Sequence, residues 1–277
     1  MRRPRRRRLR NLPINSLLPN MLTVLALCAG LTSMRFALQE RWEMAVGAIV
    51  VAAILDGLDG RLARLLKGAS KFGAELDSLS DFVCFGVAPA FVLHQWTLFQ
   101  LRGVGWILVL GFAVCCALRL ARFNTALEDP NRPAWSVNYF TGVAAPAGAG
   151  LALIPVMLSF LEIGTLPRSP YLAGAWMAAV AFLMVSQIPT YSFKKVRVRR
   201  DMIMPMLLLV ALGAAALAMY PWITLSTMAT AYLVSIPFAF FSHAKLSRTG
   251  PEDVDVSEAK PAPRPEADRE GDSQIIH

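Results

Sequence analysis

The chain has 277 residues, 55% of them hydrophobic and only 17% charged, with a net charge of +9. Apolar residues in that excess exceed what a soluble domain can bury and point to a polytopic membrane protein. Cys28, Cys84, Cys115 and Cys116 lie in apolar stretches with no C-x-x-C spacing, so they read as small core residues and give no zinc or dithiol-redox signal.

Residues 1–10, MRRPRRRRLR, hold seven arginines. Beside a membrane span, such a run reads as a cytoplasmic, topogenic and anionic-lipid-binding arm rather than a nucleic-acid-binding one. Leu12 to Leu18 are expected to form a short interfacial segment before Pro19-Asn20. The arm and the apolar run after it have the look of a signal peptide. The run 17–38 is nevertheless long enough to span, and the LALC at 25–28 lacks the small residue that a lipoprotein cleavage site needs before its cysteine, so a retained first helix is expected.

Eight apolar segments follow, near 17–38, 43–66, 77–100, 103–122, 140–161, 171–190, 203–220 and 222–241. Each is close to the roughly 20 residues that a helical span requires. The expected fold is therefore all-α, with about eight transmembrane helices. Pro146, Pro155, Pro189 and Pro237 are expected to kink or end their helices. The fifth segment, YFTGVAAPAGAGLALIP, carries the Gly and Ala of closely packed helices. With the N-terminus inside, only Arg35, Arg41, Arg102 and Arg168 fall outside, and the rest of the 28 basic residues fall inside. That bias places both termini in the cytoplasm. The segment 244–277 is acidic and Pro-rich from Pro251 onward, and disorder is expected there.

Charge is otherwise kept out of the apolar runs, which singles out Asp56, Asp59, Asp77 and Asp81. Carboxylates are costly at membrane depth, so a cluster of them marks a functional site. On a helix Asp56, Asp59, Gly60, Ala63 and Arg64 share one face, and Asp77 and Asp81 are one turn apart. Two facing helices would gather four carboxylates into one small volume. These cannot all ionise without a counter-charge, and hard divalent cations supply it. The basic residues that flank the stretch, among them Arg61, Arg64, Lys67 and Lys71, put it at the cytoplasmic face.

The spacing is D-x-x-D-G-x-x-A-R, eight residues, then G-x-x-x-D-x-x-x-D, with every position filled: Asp56, Asp59, Gly60, Ala63, Arg64, Gly73, Asp77 and Asp81. This resembles the signature of the CDP-alcohol phosphotransferases, membrane enzymes that move a phosphatidyl group from a CDP-linked lipid to an alcohol and release CMP. The resemblance implies a catalytic core over 17–195, made of six helices, with two further helices over 196–243 for which no role follows. It implies two divalent ions, Mg or Mn, on Asp56, Asp59, Asp77 and Asp81, with Asp81 also the general base. Gly60 and Ala63 would leave room for the cytosine, Gly73 would permit close helix or nucleotide approach, and Arg64 would bond the diphosphate. Members of the family are commonly homodimers.

Downstream, FVCFGVAPA (82–90), ALRLARFN (117–124), YFTGVAAPA (139–147) and VSQIPTYSFKKVRV (185–198) resemble the membrane-embedded bacterial phosphatidylserine synthases. The third departs from their G-L-P-x-P pattern, keeping Pro146-Ala147 but not the first proline. The implied substrates are CDP-diacylglycerol and L-serine, at the cytoplasmic face of a bacterial inner membrane, with no nucleic acid involved. Serine brings a carboxylate, so its pocket needs a cation. Arg119 and Arg122, with Asn124 beside them, could hold that carboxylate or the lipid phosphate, or could be topogenic. Lys194 and Lys195 could face an anionic head group or belong to the positive-inside cluster. His94 falls near the outer end of its helix and His243 at the membrane edge. Another acceptor (glycerol 3-phosphate, inositol phosphate or choline) is the alternative within the family. A cation transporter using the aspartates is the alternative outside it, and it leaves Gly60, Ala63 and Gly73 unexplained.

Overall fold

The computed structural model describes residues 14–66, 68, 70–128, 139–161, 168–186, 189–191 and 202–248. Helix α1 (Ile14–Leu38) turns sharply into α2 (Trp42–Leu65). The turn is a Schellman motif. Glu40 takes the left-handed conformation (φ 57°), its N–H donates to the Ala37 carbonyl at 3.0 Å, and the Arg41 N–H reaches back to Phe36 at 3.0 Å. So short a hairpin forces α1 and α2 to pack along their length. Ala45, Val46, Ile49, Ala52 and Asp59 form the buried stripe of α2, at the three- and four-residue spacing of one helix face. The last buried residue of an otherwise apolar stripe is thus a carboxylate.

Helix α3 (Lys71–Asp81) starts at Ser70, whose hydroxyl accepts a 3.0 Å hydrogen bond from the Gly73 N–H. It passes without a break into a π-helical turn, Phe82–Val87, and on into α4 (Ala88–Trp96). A 3₁₀ turn, Leu98–Leu101, then leads to α5 (Gly103–Glu128). The π turn lies where neighbouring backbones come closest. A Cβ on Gly30 of α1 would stand 2.6 Å from the Cys84 sulfur and 3.1 Å from its Cα, and one on Gly86 would stand 3.0 Å from Cys116 Cβ of α5.

The remaining helices are α6 (Ala145–Ala152), α7 (Ile154–Phe160), α8 (Pro170–Val185), α9 (Ile203–Met219) and α10 (Pro221–Arg248). Two short strands, β1 (Tyr139–Thr141) and β2 (Pro189–Tyr191), pair antiparallel with Phe140 opposite Thr190. Gly142 leaves this ribbon at φ 81°, with the Met184 and Ser186 carbonyls where a side chain would be. The core holds Phe85, Leu93, Phe112, Leu151, Met177 and Met184, drawn from the third, fourth, fifth and sixth segments. Trp176 ties α8 to α6 by donating its indole N–H to the Leu151 carbonyl at 2.7 Å. Helix α9 lies outside this core, exposed along nearly its whole length, against α10.

Each of the eight expected segments carries helix. The third begins at Lys71 rather than 77, because Ser70 supplies a cap that hydropathy does not register. The fifth is split at Leu153, with Pro155 in the first turn of α7. Helix α1 runs through Pro19, so no separate interfacial segment precedes it among the described residues, and α10 runs through Pro237. Three helices are long and apolar enough to cross a membrane: Leu17–Leu38, Lys71–Trp96 and Gly103–Ala126. Residues 1–13, Lys67, Lys194, Lys195 and the segment after Arg248 lie outside the described residues.

The Gly30 contact yields a stability prediction. Gly30→Ala should destabilise the detergent-solubilised protein by about 1–3 kcal/mol, as overpacking does. Gly47→Ala, where nothing lies within 4 Å of the new Cβ, should leave the melting temperature unchanged or raise it. Thermal unfolding of the two variants side by side checks this.

Candidate active site

The site forms where α1, α2 and α3 meet. Carboxylate oxygens of Asp56, Asp59 and Asp77 lie within 4.8 Å of one another. Asp56 is central, within hydrogen-bonding reach of both Asp77 and Asp81. Asp81 sits one turn deeper on α3, and its Oδ1 is buried with no hydrogen-bond partner. The helical spacing of the motif accounts for this grouping: three- and four-residue steps keep each pair on one face, and the turn around Gly68 and Ser70 brings the two faces together.

Helix α1 supplies what the aspartates need to stand so close. Thr23, itself buried, donates its hydroxyl to Asp59 Oδ2 at 2.5 Å. Ser80 of α3 donates to the Thr23 carbonyl at 3.3 Å, and the Cys84 thiol donates to Ala26 one turn on, also at 3.3 Å. Thr23 therefore joins all three helices. Asn20, one turn earlier, packs on Gly73: a Cβ there would stand 2.7 Å from Asn20 Oδ1. Gly73 thus serves close helix approach.

A cavity of about 500 Å³ opens beside the aspartates. Asn20, Thr23, Asp59, Gly60, Ala63, Arg64, Gly73 and Asp77 all line it, so five helix-face residues of the motif and two polar residues of α1 share one wall. Nothing lies within 4 Å of the position a Gly60 Cβ would take, which leaves that side of α2 bare toward the cavity. Arg64 is exposed at the rim and donates its Nε–H to the Gly60 carbonyl at 3.0 Å, keeping its terminal nitrogens available.

The candidates on α5 separate into three roles. Arg119 is half-buried, stacks over the Phe123 ring at 5.7 Å and lies within electrostatic reach of Asp81. Arg122 is exposed and donates to the Val185 carbonyl at 2.9 Å, tying α5 to the end of α8. Asn124 donates to Ser78 Oγ at 2.8 Å, between Asp77 and Asp81 in sequence, and so braces α3. Lys194 and Lys195 lie outside the described residues. Sequence reasoning passed over Thr23, Asn20, Ser70 and Ser78. The signal for the first two was present, as polar residues three apart at one end of an apolar first span.

Three clustered carboxylates and a fourth with a bare buried oxygen form an all-oxygen donor set that fits a hard divalent cation. A helical bundle with such a set at one end, opening on a small-residue cavity, defines an integral membrane protein with a carboxylate metal site for an anionic ligand. The chain belongs to the CDP-alcohol phosphatidyltransferase family, whose model matches residues 16–187. A second model, CDP-alcohol phosphatidyltransferase 2, matches 201–237, within α9 and α10.

Its relatives narrow this further. A CDP-diacylglycerol–serine O-phosphatidyltransferase of Mycobacterium leprae is 42% identical over 88% of this chain and 80% of its own length. The protein of that name from Mycobacterium tuberculosis strain H37Rv is 40% identical over 89% of this chain and 85% of its own. One from Helicobacter pylori strain 26695 is 37% identical over 67% and 77%.

Thr23→Val removes the donor to Asp59 while keeping the side chain's shape. Loss of such a supporting hydrogen bond weakens metal binding by about 10–100-fold. Titration of Mn²⁺ into the variant, followed by electron paramagnetic resonance, should show that loss, with an unchanged circular dichroism spectrum.

Proposed function

We propose that this chain transfers the phosphatidyl group of CDP-diacylglycerol to the hydroxyl of L-serine, giving phosphatidylserine and CMP. The observation that carries the reading is the cluster of Asp56, Asp59 and Asp77 on the wall of the motif-lined cavity. The names of the relatives support serine as the acceptor. The working arrangement is eight membrane-crossing helices with both termini cytoplasmic, in a bacterial inner membrane, as a homodimer. The core spans 17–195, flanked by the basic arm of 1–16, the helices of 196–243 and the tail of 244–277.

The cavity takes the cytidine and its diphosphate. Gly60 and Ala63 let a flat base approach α2, and Arg64 donates charge-assisted hydrogen bonds to the diphosphate from the rim. Asp56, Asp59, Asp77 and Asp81 would hold two divalent cations, Mg or Mn, which when bound neutralise the diphosphate and polarise the attacked phosphorus. Thr23 and Asn124 orient the carboxylate-bearing helices so that the donor set is formed in advance. The serine hydroxyl attacks the lipid-bearing phosphorus in line, the bond from phosphorus to the CMP oxygen breaks, and the hydroxyl proton passes to Asp81. Arg119, near Asp81, is the cation placed to meet the serine carboxylate. Arg122, held on the Val185 carbonyl, serves the frame of the site.

Purified protein given CDP-diacylglycerol, labelled serine and Mg²⁺ or Mn²⁺ should release CMP and label lipid, and a chelator should stop both. Turnover with glycerol 3-phosphate or inositol but not serine would overturn the choice of acceptor. No CMP release with any acceptor would overturn the transferase. Asp81→Asn should retain CDP binding and lose turnover by about 10²–10⁴-fold. Comparable turnover in that variant would remove Asp81 as the base.

A further inference from the structure

Helix α10 lies beyond the six helices of the core, yet its inward face belongs to the core. Trp222, Leu225, Ala229 and Tyr232 pack against it, and Ile236 is buried, at helical spacing. The Trp222 ring meets Phe160 at the far end of α7, with centroids 4.8 Å apart. Tyr232 is ten residues further, about 15 Å along the helix axis toward the end that carries the aspartates. Arg119 stands nine residues before the end of α5, and Asp81 ten residues after the start of α3. Each is therefore about 14–15 Å in from the same end of the bundle. Asp81, Arg119 and Tyr232 approach one level from three different helices. Both the carboxylate and the phenol act electrostatically on the guanidinium.

A cation this far from the interface is more than a topological signal, because charge at depth is kept only where it has work to do. Arg119 already rests one face on Phe123. A guanidinium binds a carboxylate best as a planar fork, so its plane must be held. We propose that Tyr232 is a positioning residue for acceptor specificity, holding the Arg119 fork toward the carboxylate of the incoming amino-alcohol beside Asp81. This rests on the serine-transfer reading and gives the last helix a part in the site: it closes the acceptor side that the aspartate motif leaves open.

The test uses the full chain in CDP-diacylglycerol vesicles, with L-serine and with serinol, which keeps the hydroxyl and ammonium but lacks the carboxylate. Tyr232→Phe should raise the serine KM about tenfold, with kcat and the CDP-diacylglycerol KM within twofold of wild type. Its preference for serine over serinol should fall by the same factor. Arg119→Lys should show the same pattern, and combining the two should cost little more than either alone. A serine KM unmoved in Tyr232→Phe, or equal losses with serine and serinol, overturns the inference while leaving the transferase intact. A wild type that turns over another acceptor and not serine overturns the functional reading, and this inference with it.

Discussion

The structure depends on keeping like charges together in an apolar setting. Asp56, Asp59 and Asp77 crowd into one small volume with Asp81 just behind, and their repulsion pushes α2 and α3 apart. What resists is a line of contacts to α1: the Thr23 hydroxyl on Asp59, Ser80 on the Thr23 carbonyl, and Cys84 on Ala26. Each is a modest interaction, but a partner lost at such depth leaves a polar group unpaired, which costs more than the bond contributes. Close approach at Gly30 and Gly73 makes these bonds reachable, so the small residues and the polar ones act as a single device.

The two sides of the site are built differently. On the nucleotide side, rigid helix faces and missing side chains make space, and Gly60 and Ala63 matter for what they lack. On the acceptor side, long side chains from separate helices reach toward Asp81, and Asn124 braces α3 through Ser78. A conserved-geometry wall suits a leaving group shared by all substrates of such a site, while long side chains are easier to change as the acceptor changes.

The motif residues were legible because their chemistry is local: fixed spacing on two neighbouring helices specifies which faces meet. Thr23 and Asn20 were harder because their partners are 36 and more residues away, and a single polar residue in an apolar span has many explanations. Arg119 and Arg122, three apart, were equivalent in sequence. They are distinguished only by what surrounds them, a carboxylate for one and the Val185 carbonyl for the other. The π turn after Asp81 left no trace in hydropathy, since FVCFGV is apolar whichever helix it forms. The helix count followed readily from apolar run lengths, but the cap at Ser70 and the break at Leu153 depend on side-chain hydrogen bonding and packing that run lengths do not carry.

The tight turn at Glu40 bears on how the chain is assembled during synthesis. A hairpin of two helices can enter the bilayer as one unit, before α3 exists to complete the cluster. At that moment Asp56 and Asp59 would face lipid, the least hospitable solvent for them. Thr23 is on the partner helix of that same hairpin, opposite Asp59, so one carboxylate has its donor from the outset. The hydrogen bond that later orders the finished site thus also chaperones its most buried acid through insertion.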